Sequence, residues 1–362
     1  MKANRVYLDI HVIQTVPPSC VNRDDTGSPK TAVYGGTTRA RVSSQAWKKA
    51  VRNMFRSELF SEQDLGIRTK SIVDMVTNKL MSLADCPANP EEAAKKILTT
   101  AGMKDKSLDG GKAAPLFFMS DSQALALAKL IIEDPNASKK KVQEALTNYP
   151  SVDVALFGRM VADDPELNVD ACCQVAHAIS THGIQNEYDY FTAVDEHEKE
   201  DKDNAGAAMI GTVEYNSSTL YRYATIALHN LLELVGEQMV DAACKFTEAF
   251  VRSMPTGKQN SYANGTLPDA LLVTLRTSQP VNLSGAFENP IKYGEEGYVK
   301  ASVKALVTHM NKINQDWLGL PKVIYGVGSV LRESTFAPEM GQILSLPEML
   351  SRLHDDLSEE FL

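Results

Sequence analysis

Alternating apolar and polar positions begin the chain and predict a strand. From residue 6 to residue 13, aliphatic side chains occupy every second position: Val6, Leu8, Ile10 and Val12. Because side chains of a strand point alternately to its two faces, this pattern predicts a strand with one buried face. Further strands are predicted at residues 220–228, 270–276 and 323–327, and helices at residues 231–254 and 298–317. This mixture indicates an α+β fold that is compatible with a ferredoxin-like βαββαβ core.

The stretch from residue 66 to residue 160 carries almost only helical patterns. One of them consists of Ile72, Val73, Val76, Leu80 and Leu83. Their spacing of three to four residues is that of an amphipathic helix. A block this uniformly helical inside an α+β chain predicts an inserted subdomain. A further helix is predicted over residues 171–182.

Residues 183–218 differ from their surroundings. They begin with the aromatic residues Tyr188, Tyr190 and Phe191 and continue into the charged run DEHEKEDKDNAGAA. That run is poor in apolar side chains and shows no pattern that could form a core. The segment ends in IGTVEYNSS. The pattern predicts a long, protruding, hairpin-like arm.

The charge pattern is most unusual between Thr26 and Ser57, where no Asp or Glu occurs. The cations of this span are Lys30, Arg39, Arg41, Lys48, Lys49, Arg52 and Arg56, a local charge of +7 in a chain whose formal net charge is −9. Ser43 and Ser44 precede a helical pattern, and serine is a favoured N-cap. At about 100° per residue, the lysines and arginines at positions 48–56 share one half of this helix.

A helix N-terminus with a basic face attracts anions, because its free N–H groups and its dipole are positive. The alternative is an ordinary solvated helix face. Solvated faces usually mix both signs of charge, so the lack of carboxylates favours polyanion binding. The rest of the chain sums to −16. This argues against a whole-surface nucleic-acid binder and allows one local basic groove.

Composition indicates a soluble globular protein. The chain has 362 residues with 43% hydrophobic content, which suggests two or three domains. Its five cysteines are odd in number and include no C-x-x-C, as expected for reduced thiols in a cytosol. The start of the chain does not read as a signal peptide, and no apolar stretch is long enough to span a bilayer. We therefore expect a cytoplasmic protein with no membrane partner.

Sequence motifs of common enzymes are missing. The chain has no G-x-x-x-x-G-K-[ST] and no G-x-S-x-G, and the lone pair Gly326 and Gly328 favours a turn. An RNA-processing nuclease would need a His, Lys or Tyr aimed at a 2′-hydroxyl. His11 and His229 are candidates by type, but nothing in their spacing singles them out. The sequence supports binding better than catalysis.

Metal ligands are also poorly supported. His177 and His182 are five residues apart, which would place them about 140° apart on the predicted helix, whereas zinc ligands on a helix prefer a spacing of three or four. The acid pairs at residues 24–25 and 163–164 could serve Mg²⁺ or acid–base chemistry, but turn-forming roles are commoner in loops. The sequence predicts no metal and no cofactor.

Several separate motifs follow one another in a distinctive order. They are IHV, PPSCVNRDD, YGG, RARVSSQAWKKAVR, GRM, AHAISTH, YFTAVD and GTVEYNSSTLYRYA. In this order they resemble the CasC family, the backbone subunits of Cascade, the type I-E CRISPR surveillance complex. The resemblance extends from the first strand to at least GKQNSYAN at residues 257–264. The remaining residues match more by length and pattern than by motif.

The resemblance implies a three-part architecture. An RRM-like (ferredoxin-like) palm would comprise residues 1–61, with the basic helix at 44–58, and residues 177–183 and 219–362. A helical fingers domain would be inserted at residues 62–176, and a thumb hairpin would protrude at residues 184–218. Copies of the chain would stack head to tail along one CRISPR RNA, beside other Cascade subunits. Such a heterologous contact does not close on itself and builds a helical filament.

The resemblance also implies which residues contact RNA. They are Arg23, Lys30, Ser43, Gln45, Lys48, Lys49, Arg52, Arg159, Met160, Phe191, Thr192 and Lys258. The basic and polar members would hold phosphates and ribose without reading the sequence. Met160 and Phe191, with Thr192, would lie beside a guide nucleotide that is displaced at regular intervals, as an apolar wedge can do.

The intervening bases of the guide would stay free to pair with target DNA, so base pairing would supply the specificity. The subunit would have no catalytic role. The acidic run at residues 195–203 would repel nucleic acid, and we expect it to point away from the guide. The alternative function is a structural oligomer that contacts protein partners through its basic face without RNA.

Overall fold

Long strands in the first and second halves of the chain build one large sheet. The structure, a computed structural model, describes residues 5–104, 108, 116–148, 150–161, 164–193, 209–332 and 341–361. Its strands are β1 (Tyr7–Ser19), β2 (Thr31–Tyr34), β3 (Thr37–Val42), β4 (Gly66–Thr69), β5 (Phe117–Ser120), β6 (Cys173–Val175), β7 (Ala178–Ser180), β8 (Glu187–Ala193), β9 (Met209–Ala227), β10 (Ala270–Arg276), β11 (Val323–Val327) and β12 (Gln342–Leu344). The main sheet has the order β12-β11-β10-β1-β9-β7-β3-β2.

Strand β1 lies at the centre of this sheet, between β10 and β9. It is antiparallel to both, so that Ile10 is opposite Val273 on one side and Ala224 on the other. Strand β9 is longer than its neighbour. Its second half pairs with β1, whereas residues 209–215 pair with β8 in an antiparallel two-stranded ribbon. The acidic run at residues 195–203 lies outside the described residues.

Helices pack on the sheet and confirm the α+β class. They are α1 (Ser44–Met54), α2 (Ile72–Met81), α3 (Pro90–Thr100), α4 (Asp121–Glu133), α5 (Lys139–Thr147), α6 (Val152–Phe157), α7 (Leu228–Val235), α8 (Gln238–Arg252), α9 (Gln259–Tyr262), α10 (Gly297–Ile313), α11 (Ser329–Arg332) and α12 (Leu346–Phe361). The helix predicted at 231–254 is therefore two helices, with Gly236 between them at a φ of 59°. Within the described residues, no helix is both long and apolar enough to cross a membrane.

The sheet is buried on both faces, which corrects the prediction of one buried face for β1. Ile10 packs in a core that contains Phe246 of α8, and Ile13 packs in a second core with Leu306 of α10. Because helices cover both faces, polar residues of β1 are also buried. The alternation of apolar and polar residues was therefore a correct sign of a strand but not of solvent on one side.

Buried polar side chains of β1 are satisfied by hydrogen bonds within the protein. The Nδ1 atom of His11 and the hydroxyl of Tyr221 are hydrogen-bonded at 2.9 Å. The hydroxyl of Tyr223 donates to Oδ1 of Asp9 at 2.9 Å, and the backbone N–H of Val281 donates to Oδ2 of Asp9. Burial raises the pKa of Asp9. These bonds offset the cost of removing polar groups from water.

Protonation of His11 is expected to weaken the fold in acid. Burial lowers the pKa of this imidazole from 6.5 to about 3. Between these values the unfolded chain binds a proton that the folded chain does not. The free energy of unfolding should therefore fall below pH 6.5, by up to about 1.4 kcal/mol per pH unit from this group. We expect the urea midpoint of His11→Asn to fall less than that of the wild type when the pH is lowered from neutral to mildly acidic.

The control for this prediction is His354→Asn, because His354 is exposed on α12. It should show the acid sensitivity of the wild type. Parallel pH profiles for the His11→Asn variant and the wild type would show that His11 does not titrate as proposed.

Helices α2 to α5 enclose a hydrophobic core of their own. It contains Leu80, Leu98, Leu127 and Leu146, and strands β4 and β5 form a two-stranded ribbon beside it. The helical patterns of residues 66–160 are confirmed, with this ribbon as an addition. The helix predicted for residues 171–182 is wrong, because β6 and β7 form there and both pair with β9. The pairing with β9 outweighs the local pattern.

Candidate nucleic-acid interface

Helix α1 begins where the serine signal predicted. The side chain of Ser43 accepts a hydrogen bond from the backbone N–H of Ala46 at 3.3 Å, as an N-cap does. The helix buries Trp47 and leaves Gln45 exposed. It ends at Met54, and a π-helical turn at Phe55–Leu59 follows. The sequence prediction of a helix over residues 44–58 is confirmed in place, with a change of helix type near its end.

The loop before the helix is fixed to it by Asn22. The side-chain oxygen of Asn22 accepts a hydrogen bond from the backbone N–H of Ser43 at 2.9 Å. The backbone carbonyl of Asn22 accepts one from the backbone N–H of Lys30, also at 2.9 Å. Within the loop, Oδ1 of Asp24 accepts from the N–H groups of Thr26 and Ser28, each at 3.0 Å. The hydroxyl of Thr26 donates to the same oxygen at 2.7 Å and is the main cause of the lowered pKa of Asp24, and the two N–H groups lower that pKa further. Asp24 thus has the turn-forming role that the sequence favoured over acid–base chemistry.

The turn at residues 255–259 packs against the same loop. A Cβ atom at Gly257 would lie 2.9 Å from the carbonyl oxygen of Cys20 and closer still to that of Val21. Only glycine allows this approach. Burial raises the pKa of the Cys20 thiol, and the charges of Arg23 and Lys258, which both act on this thiol, lower it by less. The family resemblance implied Lys258 as an RNA contact, but the sequence did not show the close approach at Gly257 that positions it.

Five cations of this region have neither an ion pair nor a side-chain hydrogen bond with the described residues, whereas Arg41 donates to the carbonyl of Thr31 and to His177. The five are Arg23, Lys30, Lys48, Lys49 and Lys258. We call them the basic surface. They come from the loop, the outer face of α1 and the turn after α8, which are joined by the contacts of Asn22 and Gly257. Cations without carboxylate partners are available to phosphate groups.

Two arginines of the acid-free span are engaged elsewhere. Arg39 is fully buried and donates to the backbone carbonyls of Ser180 and Phe287, at 3.0 and 2.8 Å. Arg56 donates to the carbonyl of Gly66. The local charge of +7 therefore overstates what an anion would meet. A cation count from sequence does not distinguish a solvated guanidinium from one that binds backbone carbonyls.

Arg52, a predicted RNA contact, is half-buried against the helical region. Its Nε lies 3.9 Å from Oδ2 of Asp153, and its guanidinium stacks over the ring of Phe118 at 4.8 Å. Burial lowers the pKa of Arg52, and the neighbouring Arg68 and Arg56 lower it further, while Asp153 raises it. Arg52 thus already has a partner, unlike the lysines beside it on α1.

Arg159 is a correction to the predicted RNA contacts. It is only 4% exposed, and its guanidinium donates to the carbonyls of Leu167, Phe118 and Leu146 and to the side chain of Gln123. Burial lowers its pKa to about 10. These donors are satisfied by the protein itself, so Arg159 ties the helical region together. We remove it from the proposed set of RNA contacts.

The residue after Arg159 has the opposite environment. Met160 is 85% exposed, although large apolar side chains usually lie inside. Phe191 and Thr192 are also exposed, on strand β8 of the two-stranded ribbon. Among the described residues, neither Met160 nor Phe191 belongs to a hydrophobic core, which fits the wedge that the family resemblance implies.

The histidines considered as metal ligands are not on one helix. His177 lies between β6 and β7 and accepts a hydrogen bond from Arg41 at 3.3 Å. The Nε2 atom of His182 accepts from the backbone N–H of Thr219 at 3.1 Å, and its ring stacks on Tyr298. Among the described residues, no cluster of three His, Cys, Asp or Glu side chains could hold a metal ion.

The second acid pair is only partly described. Asp163 lies outside the described residues. The carboxylate of Asp164 pairs with Lys139 at 2.7 Å and accepts from Gln143 at 3.1 Å. The hydrogen bond from Lys139 is the main cause of the lowered pKa of Asp164. Asp164 therefore has a structural role between α5 and the loop before β6.

Comparison with known proteins assigns this chain to a family. A family model described as CT1975-like protein matches residues 8–351, nearly the whole chain. The chain belongs to this family. The resemblance inferred from the sequence motifs is thereby confirmed at the level of the family. A search of curated proteins gives no significant match.

Solved structures similar to this CT1975-like chain come from CRISPR complexes. One, described as "CRISPR RNA-guided surveillance complex, pre-nicking", has a TM-score of 0.78 and 30% sequence identity, and the match covers 96% of this chain and 100% of the other. Another, described as "CRISPR RNA-guided surveillance complex", has a TM-score of 0.62 and 27% identity, with 96% and 99% coverage. The similarity therefore spans the sheet, the helical region and the ribbon.

Proposed function

We propose that this CT1975-like chain is a non-catalytic backbone subunit that binds CRISPR RNA in a type I-E Cascade complex. The observation that carries the proposal is the basic surface: five cations free of carboxylate partners among the described residues, around the N-terminus of α1. The main sheet and its helices would form the palm, the region with its own core the fingers, and the β8–β9 ribbon the thumb.

The basic surface would hold the phosphates of the guide. Lys49 is exposed and Lys48 half-buried on α1, and Gln45 adds an exposed polar group at the positive end of the helix, whereas Ser43 is only 5% exposed and serves as the helix cap. Arg23, Lys30 and Lys258 would extend the contact along the RNA backbone. Such contacts position a nucleic acid without reading its sequence.

Met160, Phe191 and Thr192 would separate the guide into segments. An apolar side chain that enters a stack of bases displaces a nucleotide at a modest cost in stacking energy. Copies of the chain would repeat this at regular intervals, head to tail, and leave the other bases free to pair with target DNA. Other Cascade subunits would complete the particle in the cytoplasm.

Co-purification with RNA tests this function directly. We expect the chain, expressed with a CRISPR RNA and the other complex subunits, to elute as a large particle that contains RNA of uniform length. The ratio of absorbance at the nucleic-acid and protein maxima reports the RNA, and gel electrophoresis reports its length. Recovery of a monomer without RNA would contradict the proposal.

Nuclease digestion distinguishes the alternative, an oligomer held together by protein contacts alone. RNA that is protected at regular intervals in the particle is expected for a guide-binding backbone. Particles that keep their size after complete removal of RNA would instead support assembly through protein partners on the basic face.

A further inference from the structure

The ring of Phe191 occupies the space that a side chain at position 211 would fill, where the chain has a glycine. In the β8–β9 ribbon, Phe191 is paired with Gly211 on the opposite strand. A Cβ atom at Gly211 would lie 2.7 Å from Cε1 of the Phe191 ring and closer still to its Cζ. The ring therefore lies across the bare backbone of Gly211, in space that the side chain of any other residue would need.

The backbone of Gly211 gives no other reason for a glycine. Its φ is not among the positive values of the described residues, so the conformation is one that other residues adopt in a strand. Glycine is also unfavourable inside a strand, because it gives up entropy and packing. A glycine in a strand often marks a close approach by another group. Here that group is the ring of Phe191.

Exposure along the ribbon agrees with a held ring. Tyr188 and Tyr190 point to the other face of the ribbon and are 67% and 64% exposed, whereas Phe191 is 38% exposed. Phe191 thus loses part of its accessible surface against the strand opposite, although it belongs to none of the hydrophobic cores of the described residues. A ring that already lies in one orientation loses less freedom when it binds.

We propose that Gly211 is a positioning residue for Phe191: by lacking a side chain, it fixes the orientation in which the aromatic ring meets the guide RNA. This inference rests on the proposed function, in which Phe191 displaces a guide nucleotide. Gly211 does not contact the RNA in this role. It acts through the ring that lies on it.

Gly211→Ala and Gly211→Val test the role without weakening the ribbon. Both substitutions place a methyl group or more where the ring lies, so the ring must leave the strand. Both also replace glycine with a better strand former, which should keep β8 and β9 paired. The matched control is Thr212→Val, because Thr212 is the next residue of the same strand, is exposed and is paired with Tyr190 on the other face.

Dimethyl sulfate probing of the guide gives the readout in the assembled particle after a complementary DNA strand has been bound. In the wild-type particle the paired bases are protected, and we expect reactive nucleotides at a fixed interval, which report the displaced bases that cannot pair. Gly211→Val, like Phe191→Ala, should lose this repeat, while retention of RNA stays within about threefold because phosphate contacts supply the affinity. Gly211→Ala should reduce it, and Thr212→Val should preserve it.

A double variant decides whether Gly211 acts through Phe191. Gly211→Val added to Phe191→Ala should cause no further change, as expected when two residues act in one contact. If Phe191→Ala abolished the repeat but Gly211→Val preserved it, the proposed role of Gly211 would be wrong, while that of Phe191 would stand. A wild-type particle that retains RNA without any repeat would overturn the wedge itself, and this inference with it.

Discussion

Replacement of both Lys48 and Lys49 with glutamine is expected to weaken RNA retention by about 100-fold for every guide sequence, since each charge-assisted phosphate contact contributes about 1.5 kcal/mol. Lys49 is exposed and Lys48 half-buried on α1, and neither has a carboxylate partner among the described residues. Their ammonium groups are therefore free for phosphates. Glutamine is similar to lysine in helix propensity and is shorter by only one heavy atom, so α1 itself should be unaffected.

Salt dependence separates a phosphate role from a folding defect. Each phosphate contact to a single strand contributes about 0.7 to the slope of log affinity against log salt, so loss of two contacts should make the slope shallower by about 1.4. This slope is measured by filter binding, as the retention of labelled guide by the assembled particle over a series of salt concentrations. The change should be the same for guides of unrelated sequence, because phosphates carry no sequence information.

The matched control is Lys95→Gln with Lys96→Gln on α3. These lysines are also adjacent, but Lys95 pairs with Glu91, and Lys96 donates to Asn136. They lie away from the basic surface, and their loss should leave affinity and slope unchanged. Equal losses in both double variants would show that net charge, rather than the basic surface, governs binding. A loss confined to some guides would contradict a phosphate role.

Local signals in the sequence predicted the start and the buried face of helix α1 correctly. The serine cap, the apolar stripe with Trp47 and the lysines on the other half of α1 all follow from residues within one helix. Such features depend on helical periodicity alone. The exposure of Lys49 could therefore be predicted before any fold was known, whereas Lys48 is half-buried.

Properties that depend on distant segments were not predictable in this way. Arg39 and Arg159 read as surface cations in the sequence, yet both are buried among backbone carbonyls from remote parts of the chain. Likewise, the local pattern at residues 171–182 is helical, and only the presence of β9 beside it makes strands. Arg159 was predicted as an RNA contact because it lies in a matching motif, and a motif does not show whether a residue is buried.

The glycines illustrate the same limit. Gly211 and Gly257 lie in quoted motifs, but nothing in those motifs shows what approaches them. The structure identifies the neighbours as the ring of Phe191 and the carbonyl of Val21. Both glycines therefore act through contacts across the chain, and both support a residue of the proposed RNA site.

Truncation of Arg222 to alanine is expected to cost about 3 to 5 kcal/mol of stability, comparable to removal of a large core side chain. Arg222 lies on β9 and is only 1% exposed. Its guanidinium is stacked between the rings of Trp47, at 3.7 Å, and Phe250, at 4.5 Å. It also donates to the side chain of Gln14 and the carbonyl of Phe250.

This position joins the sheet, α8 and the helix of the basic surface. Alanine at position 222 would leave a cavity beneath Trp47 and an unpaired carbonyl on Phe250, and each defect is costly inside a protein. A methionine would fill most of the space and avoid burying a charge, so Arg222→Met should be less destabilising than Arg222→Ala. The comparison shows whether packing or the guanidinium itself stabilises α1 on the sheet.

Urea denaturation of the three proteins measures the difference. The control is Arg252→Ala on α8, whose guanidinium pairs with Glu58 and Glu248 at the surface. Exposed ion pairs contribute little, so this variant should lose less than about 1 kcal/mol. If Arg222→Ala unfolded at the same urea concentration as Arg252→Ala, the stacked guanidinium would not be what holds α1 to the sheet. Since Lys48 follows Trp47 directly, a loosened α1 should also lower RNA retention in the alanine variant.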